Sequence, residues 1–170
     1  MSRFPRLSTT TPAICGCVFQ FRFTGAWPAK PGADCTSRSV TTRAPVGPAA
    51  PRTIQAAIHA AWCRRRSLAE PAPWPEVLAL YDLLLTRRDD PIVRLNRAVA
   101  LAEIAGVPAA LHELEVLDAP ALASFLPYHA ARADLLRRTG RAEDARAAYA
   151  VALALDPPPA ERMWLERRMR

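Results

Sequence analysis

Three histidines, four cysteines and several neighbouring acids are the residues of this 170-residue chain whose chemistry suits metal binding, nucleophilic attack or proton transfer. Their spacing supports none of these. His59, His112 and His129 fall on three separate predicted helices, so no two of them share a ligating face. Cys15-Gly-Cys17 is C-x-C rather than the C-x2-C of zinc sites, and no second Cys or His pair follows it. Cys35 and Cys63 stand apart, and a chain of this length needs no disulfide staples. Glu113 and Glu115, two residues apart, point to different sides of a helix. Asp89-Asp90 stands before a proline, where helix capping explains it. No glycine-rich phosphate loop, HExxH or GxSxG occurs. The expectation is a chain with no catalytic, cofactor-binding or metal-binding residues, and not an enzyme.

Charge narrows the partners. The formal net charge is +7. Residues 1–50 hold six basic residues and one acid, Asp34, whereas residues 51–170 hold seventeen basic and fifteen acidic residues. The second part is close to balanced, which argues against a basic nucleic-acid groove there. Weak, salt-sensitive contacts by the amino-terminal segment remain compatible with its charge. The single lysine is Lys30, so the positive charge is almost all arginine. No run approaches the roughly 18 apolar residues of a membrane span. The apolar stretch Ile14–Phe19 is too short for a signal peptide, so a cytoplasmic protein without a membrane partner is expected.

The elements that would position any site begin at residue 51. Residues 1–50 are rich in Pro, Thr, Arg and Ser and are expected to be a disordered or unrelated leader. Only Cys17–Phe23 has the composition of a short strand, and residues 28–51 carry five prolines, as a linker does. Pro51 suits a helix start, and Ile54, Ile58, Ala61 and Trp62 make an apolar face behind it. Arg64-Arg65-Arg66 ends that helix, as a basic patch or as cations favoured at a helix C-terminus. Pro71, Pro73 and Pro75 forbid its continuation. A second helix is expected over 74–87, with Val77, Leu78, Leu80, Tyr81, Leu84 and Leu85 apolar. A third is expected over 92–105, capped by Asp90-Pro91 and ended by Gly106. A fourth is expected over 108–118, with Leu111, Leu114 and Leu117 inward, then a single-turn or irregular piece between Pro120 and Pro127.

The clearest pattern lies at 126–157. Two helical stretches, 128–139 and 142–155, meet at Gly140, and Ala145, Tyr149, Ala152 and Pro157 follow at fixed spacing. This resembles the A-x3-aromatic…Pro half of a tetratricopeptide (TPR) repeat. Counting back from Gly140 puts Ala133 at the small-residue position and Leu136 at the tyrosine position, while His129 and Arg132 occupy the positions of the leading Trp and Leu. Gly106 precedes Gly140 by one 34-residue period. Pro91 follows Ala79 at the separation between Ala145 and Pro157, so residues 76–91 match the second half of an earlier repeat. Residues 160–170, with Met163, Trp164 and Leu165 among Arg and Glu, suit a capping helix. The expected fold is all-α, a short TPR-like superhelix of about six or seven helices over residues 51–170 behind a disordered tail.

A DNA-reading helix-turn-helix fits badly, because the first turn is full of prolines and the helix after it is apolar. The segments Val93-Arg94-Leu95-Asn96-Arg97-Ala98-Val99-Ala100, Ala131-Arg132-Ala133-Asp134-Leu135-Leu136-Arg137-Arg138 and Ala160-Glu161-Arg162-Met163-Trp164-Leu165-Glu166-Arg167-Arg168 point elsewhere. In this order they resemble the carboxy-terminal TPR-like extension of bacterial extracytoplasmic-function (ECF) RNA polymerase sigma factors. Ile54-Gln55-Ala56-Ala57-Ile58 and the stretch from Trp74 to Leu84 are similar to its start. The resemblance covers residues 51–170. It implies a regulatory role in transcription initiation, with the RNA polymerase core or the sigma-factor core domains as protein partner. Sigma regions 2 and 4, which read promoter DNA, have no counterpart in residues 1–50. No direct promoter contact is therefore expected of this chain, and a truncated or misread gene product is the implied origin. A stand-alone TPR interaction module is the alternative.

The polar residues of those motifs are the candidate partner-binding set: Arg94, Asn96, Arg97, Arg132 and Asp134. First helices line the concave side of a TPR superhelix, so these residues either share a polar surface for a partner or are structural, with Asp134 pairing with a nearby Arg or Asn96 satisfying a loop carbonyl.

Overall fold

The computed structural model describes residues 50–67, 69–117 and 119–169. The leader, its possible strand Cys17–Phe23, the proline-rich linker before Ala50, and Cys15, Cys17 and Cys35 all lie outside the described residues.

Eight helices and no strand occur among the described residues: α1 Pro51–Cys63, α2 Trp74–Leu85, α3 Pro91–Ile104, α4 Val107–Glu115, α5 Ala119–Leu122, α6 Leu126–Arg138, α7 Ala142–Ala154 and α8 Pro159–Met169. The count exceeds the expected six or seven because Ala119–Leu122, around Pro120, closes one helical turn, α5. The fold is all-α and repetitive. Each helix packs chiefly on its neighbours in the chain, α1 on α2, α2 on α3, α3 on α4, α6 on α7 and α7 on α8, with α6 also touching α3 and α4. Such nearest-neighbour packing characterises helical-repeat proteins.

Local chemistry sets the helix ends. Asp90 caps α3: its carboxylate accepts the Ile92 N–H at 2.8 Å, and Pro91 takes the first helical position. At the end of α6 the chain passes through Gly140 at φ +79°. The Arg141 N–H donates to the Leu136 carbonyl at 3.0 Å and the Gly140 N–H to the Arg137 carbonyl at 3.1 Å. These two bonds are a Schellman turn, and it reverses the chain into α7. Gly106 also has a positive φ, +94°, between α3 and α4, but it serves as the N-cap of α4 with ψ 163° rather than as a Schellman turn.

The core has two parts. Ile54, Ile58, Ala61, Trp62, Val77, Tyr81, Leu84, Val93 and Ala100 form the first, between α1, α2 and one side of α3. The second runs from Leu95, Ala98, Val99 and Ala102 on the other side of α3 through α4 and α6 to Tyr149, Ala152 and Leu165. Trp74 packs against both. It also meets Trp62 edge-to-face at 4.9 Å, which closes the proline-rich loop between α1 and α2. Small residues sit where the last pair meets: Ala133, Ala145, Ala148 and Ala152 are buried.

One expected register is corrected. Ala79 is exposed, so it is not the counterpart of Ala145. The buried series in α2 is Val77, Tyr81 and Leu84, the same i, i+4, i+7 spacing as Ala145, Tyr149 and Ala152. Proline positions follow linker length, whereas the buried face follows the 3.6-residue period of the helix.

Candidate partner-binding surface

The motif segments fall on α3, α6 and α8, and several of their charged residues hold helices together. Arg97, on α3, donates Nε to Asp82 of α2 at 2.5 Å and Nη1 to Glu113 of α4 at 2.6 Å. Burial works against its charge, but the two carboxylates outweigh burial and raise its pKa. One side chain therefore joins three consecutive helices. Arg138 of α6 reaches back to Glu103 of α3 at 2.9 Å and ties neighbouring pairs.

Asp134 is 5% exposed, in α6. It accepts from Arg137 at 3.0 Å and from Arg168 of α8 at 3.4 Å. The Asp134 bond holds the Arg137 pKa above its ordinary value. Arg168 also lies over the Trp164 ring at 4.9 Å, and Trp164 meets Tyr149 of α7 edge-on at 6.4 Å. Burial raises the Tyr149 pKa, the negative charge of Asp134 adds to the rise, and Arg137 and Arg168 oppose it. The Tyr149 hydroxyl sits in this field without a geometrically sound hydrogen bond among the described residues. Together these contacts dock α8 on the last helix pair.

Of the five candidate residues, Asn96 and Asp134 are buried and offer no surface to a partner. Arg94 is accessible but held by Asp89 through two bonds of 2.6 and 2.8 Å. The Arg94 hydrogen bond lowers the Asp89 pKa, and that bond likewise raises the Arg94 pKa. Arg97 is engaged as described. The five do not form one shared polar face. Arg132 differs from the rest: it is half-buried and has no ion-pair partner among the described residues.

Arg132 lines an open cleft of about 570 Å³ with Glu115, Pro120, Ala123, Tyr128 and His129. The His129 Nε2–H donates to the Ala123 carbonyl at 2.8 Å and ties α6 to the α5 turn. Tyr128 and His129 pack edge-to-face at 5.1 Å. Glu115 lies 3.8 Å from Arg141. The sequence carries a signal of the cleft: a His and an Arg stand where the repeat places Trp and Leu.

Other sequence features resolve into structure. Arg64 pairs with Glu76 of α2, and the Arg66 N–H donates to the Glu70 carboxylate at 3.1 Å. Of the three arginines after α1, Arg64 thus pairs its guanidinium with an acid, while Arg65 donates to the Glu70 carbonyl. Among the described residues, no three His, Cys, Asp or Glu side chains converge as a metal site would require. Nor is any helix among them long and apolar enough to cross a membrane.

Comparison with known proteins adds one relative. An uncharacterized protein of Rhizobium meliloti (strain 1021) is 38% identical over 119 residues, which is 70% of this chain and 28% of that protein. The chain thus spans little more than a quarter of that relative's length. No family model matches the chain, and no solved structure does.

Proposed function

We propose that this chain is a helical-repeat protein-interaction domain that serves transcription initiation as the regulatory extension of an ECF-type RNA polymerase sigma factor. What supports the reading is the resemblance of three separated segments, which lie in order on α3, α6 and α8 of a helical-repeat fold. The partner is then a protein, the polymerase core or the sigma-factor core domains. Docking of such an extension would act by favouring one conformation of its partner over another. Catalysis, a cofactor and direct promoter contact form no part of this reading, and a cytoplasmic location belongs to it.

The test is a pull-down with the purified 170-residue chain as bait, against polymerase core and against a sigma-factor core supplied as a separate chain. Retention of either at near-equal molar amount is the expected result. Retention of neither by a chain that is helical by circular dichroism would overturn the sigma reading. The cleft would then favour the second reading, a stand-alone repeat module that binds a peptide.

A further inference from the structure

Stacked repeats fill the gap between one helix pair and the next with bulky apolar side chains, a Trp and a Leu of the first helix. Here His129 and Arg132 hold those positions in α6, and the gap beside the end of α4 stays open as the cleft. Its polar groups are unequally engaged. His129 Nε2 is bound to the Ala123 carbonyl, and Glu115 faces Arg141. Arg132 alone keeps an uncommitted guanidinium among the charged lining residues. Beside it lie the rings of Tyr128 and Pro120. Pro120 and Ala123 are exposed and supply the accessible apolar part of the lining.

A half-buried cation without a counter-ion has lost part of its hydration and gains most from a carboxylate, which a guanidinium meets through two parallel bonds. A phosphate backbone is a poorer match, because residues 51–170 are nearly balanced in charge and offer no extended basic stripe. We propose that this cleft binds an extended segment of a partner protein in which an aspartate or glutamate stands beside an apolar residue. The carboxylate pairs with Arg132, and the apolar side chain covers Pro120 and Ala123. The inference rests on the reading of the chain as a protein-interaction domain, and it adds the place and the chemistry of the contact.

Terminally blocked, fluorescein-labelled hexapeptides with a Leu-Asp-Leu core test it, alongside Asn and Lys counterparts, by anisotropy with the full chain. The Asp peptide should bind about tenfold more tightly than the Asn peptide, and added salt should erode the difference. Arg132→Gln should abolish the difference with the thermal melt unchanged, and Arg132→Glu should shift the preference to the Lys peptide. Ala123→Ser should weaken the Asp and Asn peptides alike. Equal binding of the Asp and Asn peptides, or an undiminished difference in Arg132→Gln, overturns the proposal. So does an Asn peptide with a free carboxy-terminus that matches the blocked Asp peptide, since the ligand would then be a chain end. Sigma or polymerase capture that survives while peptide discrimination is absent refutes the cleft and spares the sigma reading. Discrimination without such capture does the reverse.

Discussion

Gly140 shows how a single residue type carries the repeat. Its φ of +79° lies in the left-handed region, and a Cβ built there would meet nothing within 4 Å. Replacing it by alanine therefore adds backbone strain and no clash. Gly140→Ala should destabilise the chain by about 1–2 kcal/mol, and Gly140→Asn by less, since asparagine tolerates this conformation better. Urea unfolding would measure both, and equal stability of Ala and wild type would remove the turn from the account. Charged residues follow a different logic. Asp134 and Arg97 sit in motif segments, yet each is bound to side chains of other helices. Their place in the motif is accounted for by packing, whereas Arg132 has no such partner among the described residues.

Among the helices longer than one turn, α8 has the fewest buried residues. Leu165 is its one fully buried residue, supported by the Arg168–Asp134 pair and the Trp164–Tyr149 contact. Leu165→Ala should cost toward the lower end of about 2–5 kcal/mol, because a terminal helix can shift to close part of the cavity. Hydrogen exchange should show the loss as faster exchange in α8 and the end of α7, with α3 unaffected. An equal acceleration in α3 would mean that α8 is not a separate cap. The same helix covers the aromatic Tyr149, as a terminal element of a repeat array must.

At the scale of the whole molecule, two hydrophobic clusters share helix α3, and Arg97 on that helix bonds outward to α2 and α4. Removing it leaves Glu113, whose side chain is 14% exposed, without the cation that compensates its burial. Arg97→Met should therefore cost about 1–3 kcal/mol. It should also loosen the α1–α2 unit from the remainder. Denaturation followed by the fluorescence of Trp62 and Trp74, on the α1–α2 side, should then precede the loss of helicity. Coincident transitions in Arg97→Met would show that apolar packing alone couples the clusters.

Much of this architecture is local in origin and could be read from the chain. The Asp90-Pro91 cap, the glycines one repeat apart and the Ala145–Tyr149–Ala152 face each act within a turn or two of helix, so residue order alone specifies them. The exposed Ala79 marks where that reading fails: proline spacing identifies linkers, and the buried face of α2 is chosen by what α1 and α3 press against it. The fate of the charged motif residues was equally out of reach. Whether an arginine meets a carboxylate fifteen or thirty-five residues away depends on how helices stack, as Arg97 with Asp82 and Arg138 with Glu103 show. Residue order specifies a helical repeat and the two departures, His129 and Arg132, from its pattern. That Asp134 and Arg97 serve the scaffold while Arg132 faces an open cleft follows from packing, because ion pairing between distant residues and the space left between helices exist only once the pairs are packed.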